Sequence, residues 1–328
     1  SPQDHAMRIF ALIFPLIVAG FIYAQETTPV SRQSNGDDPA SPVSNNDSAG
    51  AGDAQGSKLE SPFLQTDLEL MVGNVQRPNG IVWFKDAIYT VCNGDWTIYK
   101  IDDRSGDTVT FVFGVRNGSN LIAEETETGF DLWVPDADTG NLWKVDERRG
   151  APVSVTAGLA APWGIARLND ESFLISDTRS NAILQAPTRG EPRTAVNGLR
   201  APTGIARQGS TFYVANGGSA RRGIEYFELD ADGGFTDLQP LVSGLQNTSN
   251  IVMGADGNLY FSYALGTRGV IGRVEPAQCH DGGCGNQDVE MVVFSDLPAP
   301  LAITLSDDIR LFLHSRYRPE FYWVQLPT

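Results

Sequence analysis

The chain has 328 residues and is 41% hydrophobic, which allows one large core or two ordinary ones. It carries 40 acidic against 24 basic residues, a formal charge of −16, and so argues against a general nucleic-acid binder, which needs a basic face. With three histidines in all, chemistry that relies on histidine is disfavoured.

In chain order, "SPQDHA" precedes Met7, the expected start. Met7-Arg8 opens an apolar run, "IFALIFPLIVAGFIYA", which reads as a secretory signal peptide cut after Ala24. Its alternative is a retained anchor, but the run contains Pro15 and falls short of the roughly 20 apolar residues a span needs. Residues 1–24 are therefore read as a leader. Residues 25–62 are rich in Ser, Asn, Asp, Gly and Pro and nearly free of large apolar side chains, the composition of a linker without a core. The reading is a secreted or envelope-displayed protein, monomeric, with no transmembrane span after cleavage. In that setting "CHDGGC" reads as a disulfide between Cys279 and Cys284, and Cys92 as a buried thiol.

From residue 63 to 328 the chain repeats itself. One clause recurs as "RPNGIVW", "NGSNLIA", "APWGIAR", "APTGIAR", "NTSNIVM" and "APLAITL", aligning Ile81, Leu121, Ile165, Ile205, Ile251 and Ile303. Each copy is followed by short β-rich runs bounded by Gly, Pro, Asn and Asp, for instance "AIYTVCN", "WTIYKI" and "TVTFVF" after the first. Four strands per copy and six copies predict an all-β, six-bladed β-propeller. The sixth copy lacks a fourth strand. "DLELMVGNV" stands before the first copy where a fourth strand would, so residues 67–73 are expected to close the ring by completing the last blade.

The clause P-x-G-I-A, followed by an aromatic strand ending in Asp or Asn, resembles the NHL repeat and, more loosely, the gluconolactonase–regucalcin superfamily of six-bladed propellers. The resemblance covers residues 63–328 and implies the fold strongly. It leaves function open between lactonases, lyases and binding modules. In gluconolactonase-like enzymes a divalent metal such as calcium is held near the axis by a Glu, an Asn from a "PNG" clause and an Asp. Here "RPNG" supplies Asn79, but the other clauses supply Ser119, Trp163, Thr203, Ser249 and Leu301, with no acid. Asn79, Asn120 and Asn250 are the metal candidates this leaves, and Glu124 is an acid near a first strand.

First strands line a propeller's channel. The residues entering it are expected to be Gly80, Asn120, Gly164, Gly204, Asn250 and Ala302, so two asparagines interrupt a ring of small residues. Val82, Ile122, Ala166, Ala206, Val252 and Thr304 lie deeper, which predicts a polar mouth above a narrow, dry throat. The asparagines either bind a ligand or satisfy strand-end backbone groups. Asn93, Asp136, Asp177 and Asn216, which end the second strands, read as turn caps. His314 and Cys92 fall in neighbouring blades and could approach as an activated pair, although their register places them between blades.

Loops on one face carry Arg77, Arg116, Arg179, Arg200, Arg221, Arg222, Arg268, Arg316 and Arg318, whereas "ETETGFD", "NDE" and "SDD" crowd the other face. Arginine suits bidentate recognition of carboxylate, sulfate or phosphate. The expectation is a binding propeller whose mouth takes an anionic small molecule, glycan or protein ligand through Asn79, Asn120, Trp163, Asn250, Arg221 and Arg316. Its alternative is a divalent-metal-dependent lactonase or hydrolase at the same mouth.

Overall fold

The repeat makes hairpins because each of its strands is short and stopped by a turn residue. The first strands open on Pro78, Pro162 and Pro202 in blades one, three and four, where no ladder N–H is required. The second strands that follow, such as Ala87–Cys92 and Ser172–Asp177, are wholly buried and rich in aliphatic side chains. In this computed structural model residues 58–148 and 150–327 are described, so the leader and most of the linker lie outside the described residues.

The sheets follow the repeats. Blade one is built from Pro78–Phe84, Ala87–Cys92, Thr97–Asp102 and Thr108–Phe113, each antiparallel to the next. Blades two, three and four repeat that order from Ile122–Thr126, Pro162–Asn169 and Pro202–Gln208. Blade five begins at Ile251–Met253 and blade six at Leu301–Leu305. Aliphatic and aromatic side chains fill the spaces between neighbouring blades. Between blades one and two, for example, Tyr89, Val91, Phe111, Phe130, Leu132 and Val134 form one buried cluster.

Ring closure occurs as the sequence predicts, two residues late. Glu69–Val72 pairs antiparallel with Phe321–Gln325, setting Glu69 against Trp323 and Leu70 against Tyr322. The strand starts at Glu69 because Gln65–Asp67 form a single 3-10 turn, with the Leu64 N–H donating to Asp67 Oδ2 at 2.7 Å. The sequence reading missed a further pairing. Phe63–Leu64 adds a fifth strand to blade five, parallel to Glu290–Pro298, with Phe63 against Val293.

A bulge in the first strands narrows the axis. Pairing with the second strand slips between Pro78 and Ile81, and again between Pro202 and Ile205. The glycine N–H groups released there turn to the next blade: Gly80 N–H donates to Gly118 O and Gly204 N–H to Ser249 O, each at 3.0 Å. A Cβ on Gly80 would come within 2.9 Å of the Asn120 backbone nitrogen, and one on Gly204 within 2.8 Å of the Ile251 nitrogen. Only glycine permits this approach of strand to strand.

The described residues contain no helix long and apolar enough to cross a membrane. The short helix Pro276–Cys279 leads into a disulfide joining Cys279 to Cys284. Cys92 is a buried free thiol, as expected.

Candidate functional site

At the end of the axis where the first strands begin, the mouth is filled by one side chain. Arg316 lies in the turn after Arg310–Ser315, the second strand of blade six, and its guanidinium reaches inward. Its Nε donates to Asn79 Oδ1, and its Nη2 donates to Ser119 Oγ at 3.3 Å. The guanidinium carbon sits 4.1 Å from the centre of the Trp163 ring and 5.4 Å from that of Tyr317. Blades one, two, three and six thus meet on one cation.

Asn79 is wholly buried, and its orientation is fixed from behind. Its Nδ2 donates to Asn117 Oδ1 at 2.8 Å, and Asn117 Nδ2 donates to Asp138 Oδ1 at 2.9 Å. The Asn117 backbone N–H donates to Asp136 Oδ1 at 3.2 Å. This chain leaves Asn79 Oδ1 facing the guanidinium. Among the described residues no carboxylate pairs with Arg316. Burial lowers its pKa from the ordinary arginine value, with Tyr317 opposing, but an arginine stays charged. A half-buried positive charge with neutral oxygens and a π face around it is a favourable seat for an anion.

The surrounding face is positive for a definite reason. Asp136 spends its oxygens on the backbone N–H groups of Arg116, Asn117, Asp138 and Thr139. Asp177 does the same for Ala160, Ala161, Arg179 and Ser180. Asn216 Oδ1 accepts from the Arg200 N–H. The turn-cap reading therefore holds for Asp136, Asp177 and Asn216, whose oxygens are not the partners of the nearby guanidinium groups, while Asn93 joins its turn through its backbone N–H to Arg77 O at 3.1 Å. Arg222 pairs with Glu225 at 2.7 Å and Arg268 with Asp296 at 3.2 Å. Arg77, Arg116, Arg179, Arg200, Arg221 and Arg318 are exposed and form no ion pair with a described residue. Arg77 lies over Tyr317 and Arg116 over Trp96, both aromatic rings being 41% exposed.

The other predicted site residues do not all converge here. Arg221 stands on the Ala220–Arg222 turn of blade four, with no recorded bond to the mouth. Asn120 and Asn250 are buried, but they line a different space, a cavity of about 330 Å³ on the axis. That cavity also takes in Val82, Ile122, Ala166, Ala206, Val252 and Thr304, the deep positions the sequence assigns to the channel. The expected narrow throat is a cavity, because the glycine crowding narrows the axis above these residues rather than beside them. Strand alternation sends Asn79 and Asn120 into separate surroundings.

The donor set does not fit a divalent cation. Asn79 Oδ1 already accepts from a guanidinium, and a second cation beside it would meet like charge. Asn120 Oδ1 accepts from the Leu121 N–H at 2.9 Å. Glu124, the nearest acid on a first strand, is held by Arg167 through both carboxylate oxygens. Among the described residues no three His, Cys, Asp or Glu side chains cluster as metal ligands.

His314 and Cys92 form no hydrogen bond with each other. Cys92 packs in the cluster between blades six and one, where burial and then Asp95 push its thiol pKa up. His314 Nδ1 contacts Ser315 O at 3.0 Å, and its ring lies 4.6 Å from Phe321. Burial lowers His314 to about 4, so the ring is neutral, and neither group is an activated nucleophile or base at neutral pH.

No family model matches the chain, and no curated protein matches it significantly. Solved structures do. A regucalcin described as a calcium-binding protein, from Agrobacterium tumefaciens, superposes with a TM-score of 0.60 at 12% identity, over 82% of this chain and 96% of its own. A gluconolactonase from Xanthomonas campestris gives 0.58 at 14% identity, over 80% and 91%. A virginiamycin B lyase from Staphylococcus aureus, solved with quinupristin, gives 0.55 at 13% identity, over 79% and 99%. The chain has the six-bladed propeller fold of these proteins, and at such identities the likeness is one of fold.

Proposed function

We propose that the chain is an extracytoplasmic binding propeller whose arginine-bearing face captures an anionic ligand. The ligand is a carboxylate- or sulfate-bearing small molecule or glycan, or a peptide carboxylate. The observation that carries this reading is Arg316, half-buried at the mouth, held by Asn79, Ser119 and Trp163, and without a carboxylate partner among the described residues. Exposed Arg77 and Arg116 beside it extend the positive surface, and the Tyr317 and Trp96 rings offer stacking area for a sugar or aromatic group. The Cys279–Cys284 disulfide agrees with an oxidising compartment and so with export.

A metal-dependent lactonase remains the second reading on fold alone, and the engaged Asn79 oxygen weighs against it. Calorimetric titration with calcium and a lactone panel tests it directly, and binding with turnover would replace the first reading. For the first reading the test is titration with acidic oligosaccharides and inorganic sulfate. Arg316→Gln is expected to weaken binding by about tenfold or more, a charge-assisted hydrogen bond being worth about 1.5–3 kcal/mol. Arg221→Gln, on the same face but away from the mouth, is expected to weaken it less. Affinity unchanged by both substitutions and by salt overturns the proposal.

A further inference from the structure

The axial cavity is a space separate from the mouth. None of the described residues at the Arg316 mouth, Asn79, Ser119 and Trp163 included, lines it. Between the two lie the close contacts of Gly80 with Asn120 and of Gly204 with Ile251. Around its rim are Glu124, Arg167 and Arg207, near the ends of first strands and thus on the face opposite the mouth.

Its chemistry is unlike that of the mouth. Asn250 is 4% exposed, its backbone N–H donates to Ser262 Oγ at 3.2 Å, and its side-chain amide forms no recorded hydrogen bond with a described residue. Asn120, 8% exposed, uses its Oδ1 on the Leu121 N–H, and its Nδ2 has no recorded partner. Neither amide is among the fully enclosed polar atoms that lack a partner, so both present hydrogen-bonding groups to the open space of the cavity, where a ligand of matching polarity would replace water. Val82, Ile122, Ala166, Ala206 and Val252 make the walls aliphatic.

At the rim one pair of charges is neutralised and one cation is not. Arg167 binds both oxygens of Glu124 and lies over the Phe173 ring at 3.9 Å. Arg207 is exposed and donates to three backbone carbonyls, those of Gly209, Arg167 and Leu168. Acidic loops surround this face. Arg207 has no carboxylate partner among the described residues, but it sits exposed at the rim, so an anion pressed against the aliphatic walls deeper inside loses its hydration with little to replace it.

We infer that this cavity binds a small, neutral, aliphatic molecule bearing an amide or other carbonyl group, with its polar end on the Asn120 and Asn250 carboxamides. An amide is the best match, because Asn120 offers its Nδ2 donor while Asn250 offers both a donor and an acceptor, so the carbonyl and the NH2 of a ligand amide each find a partner. This site takes no part in the anion-binding reading, so each stands or falls by itself.

The test uses the full chain, isotope-labelled, with isovaleramide and larger branched primary amides as probes and isovalerate as the charged counterpart. Side-chain amide cross-peaks are assigned by comparing the protein with its Asn120→Leu and Asn250→Leu variants. Isovaleramide is expected to shift the Asn120 and Asn250 peaks saturably, and isovalerate to do so only at concentrations about tenfold higher or more. Asn250→Leu is expected to abolish the shift of the Asn120 peak, and Arg316→Gln to leave it unchanged. Peaks that stay still with every amide overturn the inference. So does isovalerate binding as tightly as the amide, above all if Arg207→Gln then removes it.

Discussion

Two arginines of blade six show how differently one residue type can be used. Arg310 and Asp103 are almost fully buried and meet at 2.6 Å, with a further bond from Arg310 Nη1 to Asp103 O at 2.8 Å. The pair joins blade six to blade one, and Trp83 Nε1 donates to the same Asp103 oxygen at 2.6 Å. Asp103→Leu would leave the buried guanidinium with only the backbone carbonyl of residue 103 and the half-exposed Asp308 carboxylate at 3.5 Å, and is expected to cost about 3 kcal/mol in urea denaturation. Arg316 has no such partner. Arg316→Met removes the charge but leaves the buried Asn79 Oδ1 without its donor, and is expected to cost about 1–3 kcal/mol while weakening anion binding. The sequence separates them by place, Arg310 opening the second strand and Arg316 in the loop after it, but does not show that only the first meets a carboxylate, because that depends on which residues of blade one they face.

His314 sets an acid limit at the same scale. Its folded pKa of about 4 lies below the ordinary 6.5, so between these values the unfolded chain takes up the proton first. Its contribution is intact above pH 6.5, declines as pH falls through the window, and is lost at about pH 4, for about 3 kcal/mol in all. Asp177 and Asp308, held low mainly by their hydrogen bonds against desolvation, lose their contributions only below 3.8. Urea midpoints at neutral pH and near pH 4.5 should therefore differ strongly for the parent chain and much less for His314→Leu.

At the scale of elements, the repeat made the blades legible because blades one, three and four begin with the same demand, a turn, a bulge and a glycine able to touch the next strand, and the other three keep its spacing. The closing strand was legible as well, since "DLELMVGNV" occupies a fourth-strand position with no first three. Phe63–Leu64 was not, because two apolar residues carry no period and the pairing is with a strand far along the chain. The cavity escaped for a related reason: side-chain alternation places Asn120 in the channel but does not report the channel's width. A chain beginning at residue 74 lacks Glu69–Val72 and leaves Phe321–Gln325 as an open edge. It is expected to melt lower and to form oligomers on size-exclusion chromatography.

For the whole molecule, the charge of −16 and the arginine face act against each other. A short acidic ligand meets only the positive mouth, whereas a long polyanion also crosses the acidic remainder. Screening operates over about 8 Å at physiological ionic strength, so added salt weakens the first contact and relieves the second repulsion. Calorimetry at low and physiological salt is therefore expected to find that a short acidic oligosaccharide loses affinity steeply and a long polyanion less so. Equal salt slopes would mean that the face does not act as a local patch.

The N-terminal segment also determines how the ring would yield to force. Traction on Lys58 reaches the two-residue pairing of Phe63–Leu64 with blade five before it reaches Glu69–Val72 in blade six. The first can peel away while the ring stays shut; the second opens it. A chain held by its N-terminal end thus has a weak clasp in series ahead of a strong one, so a modest tug is absorbed by slack release rather than by loss of the propeller.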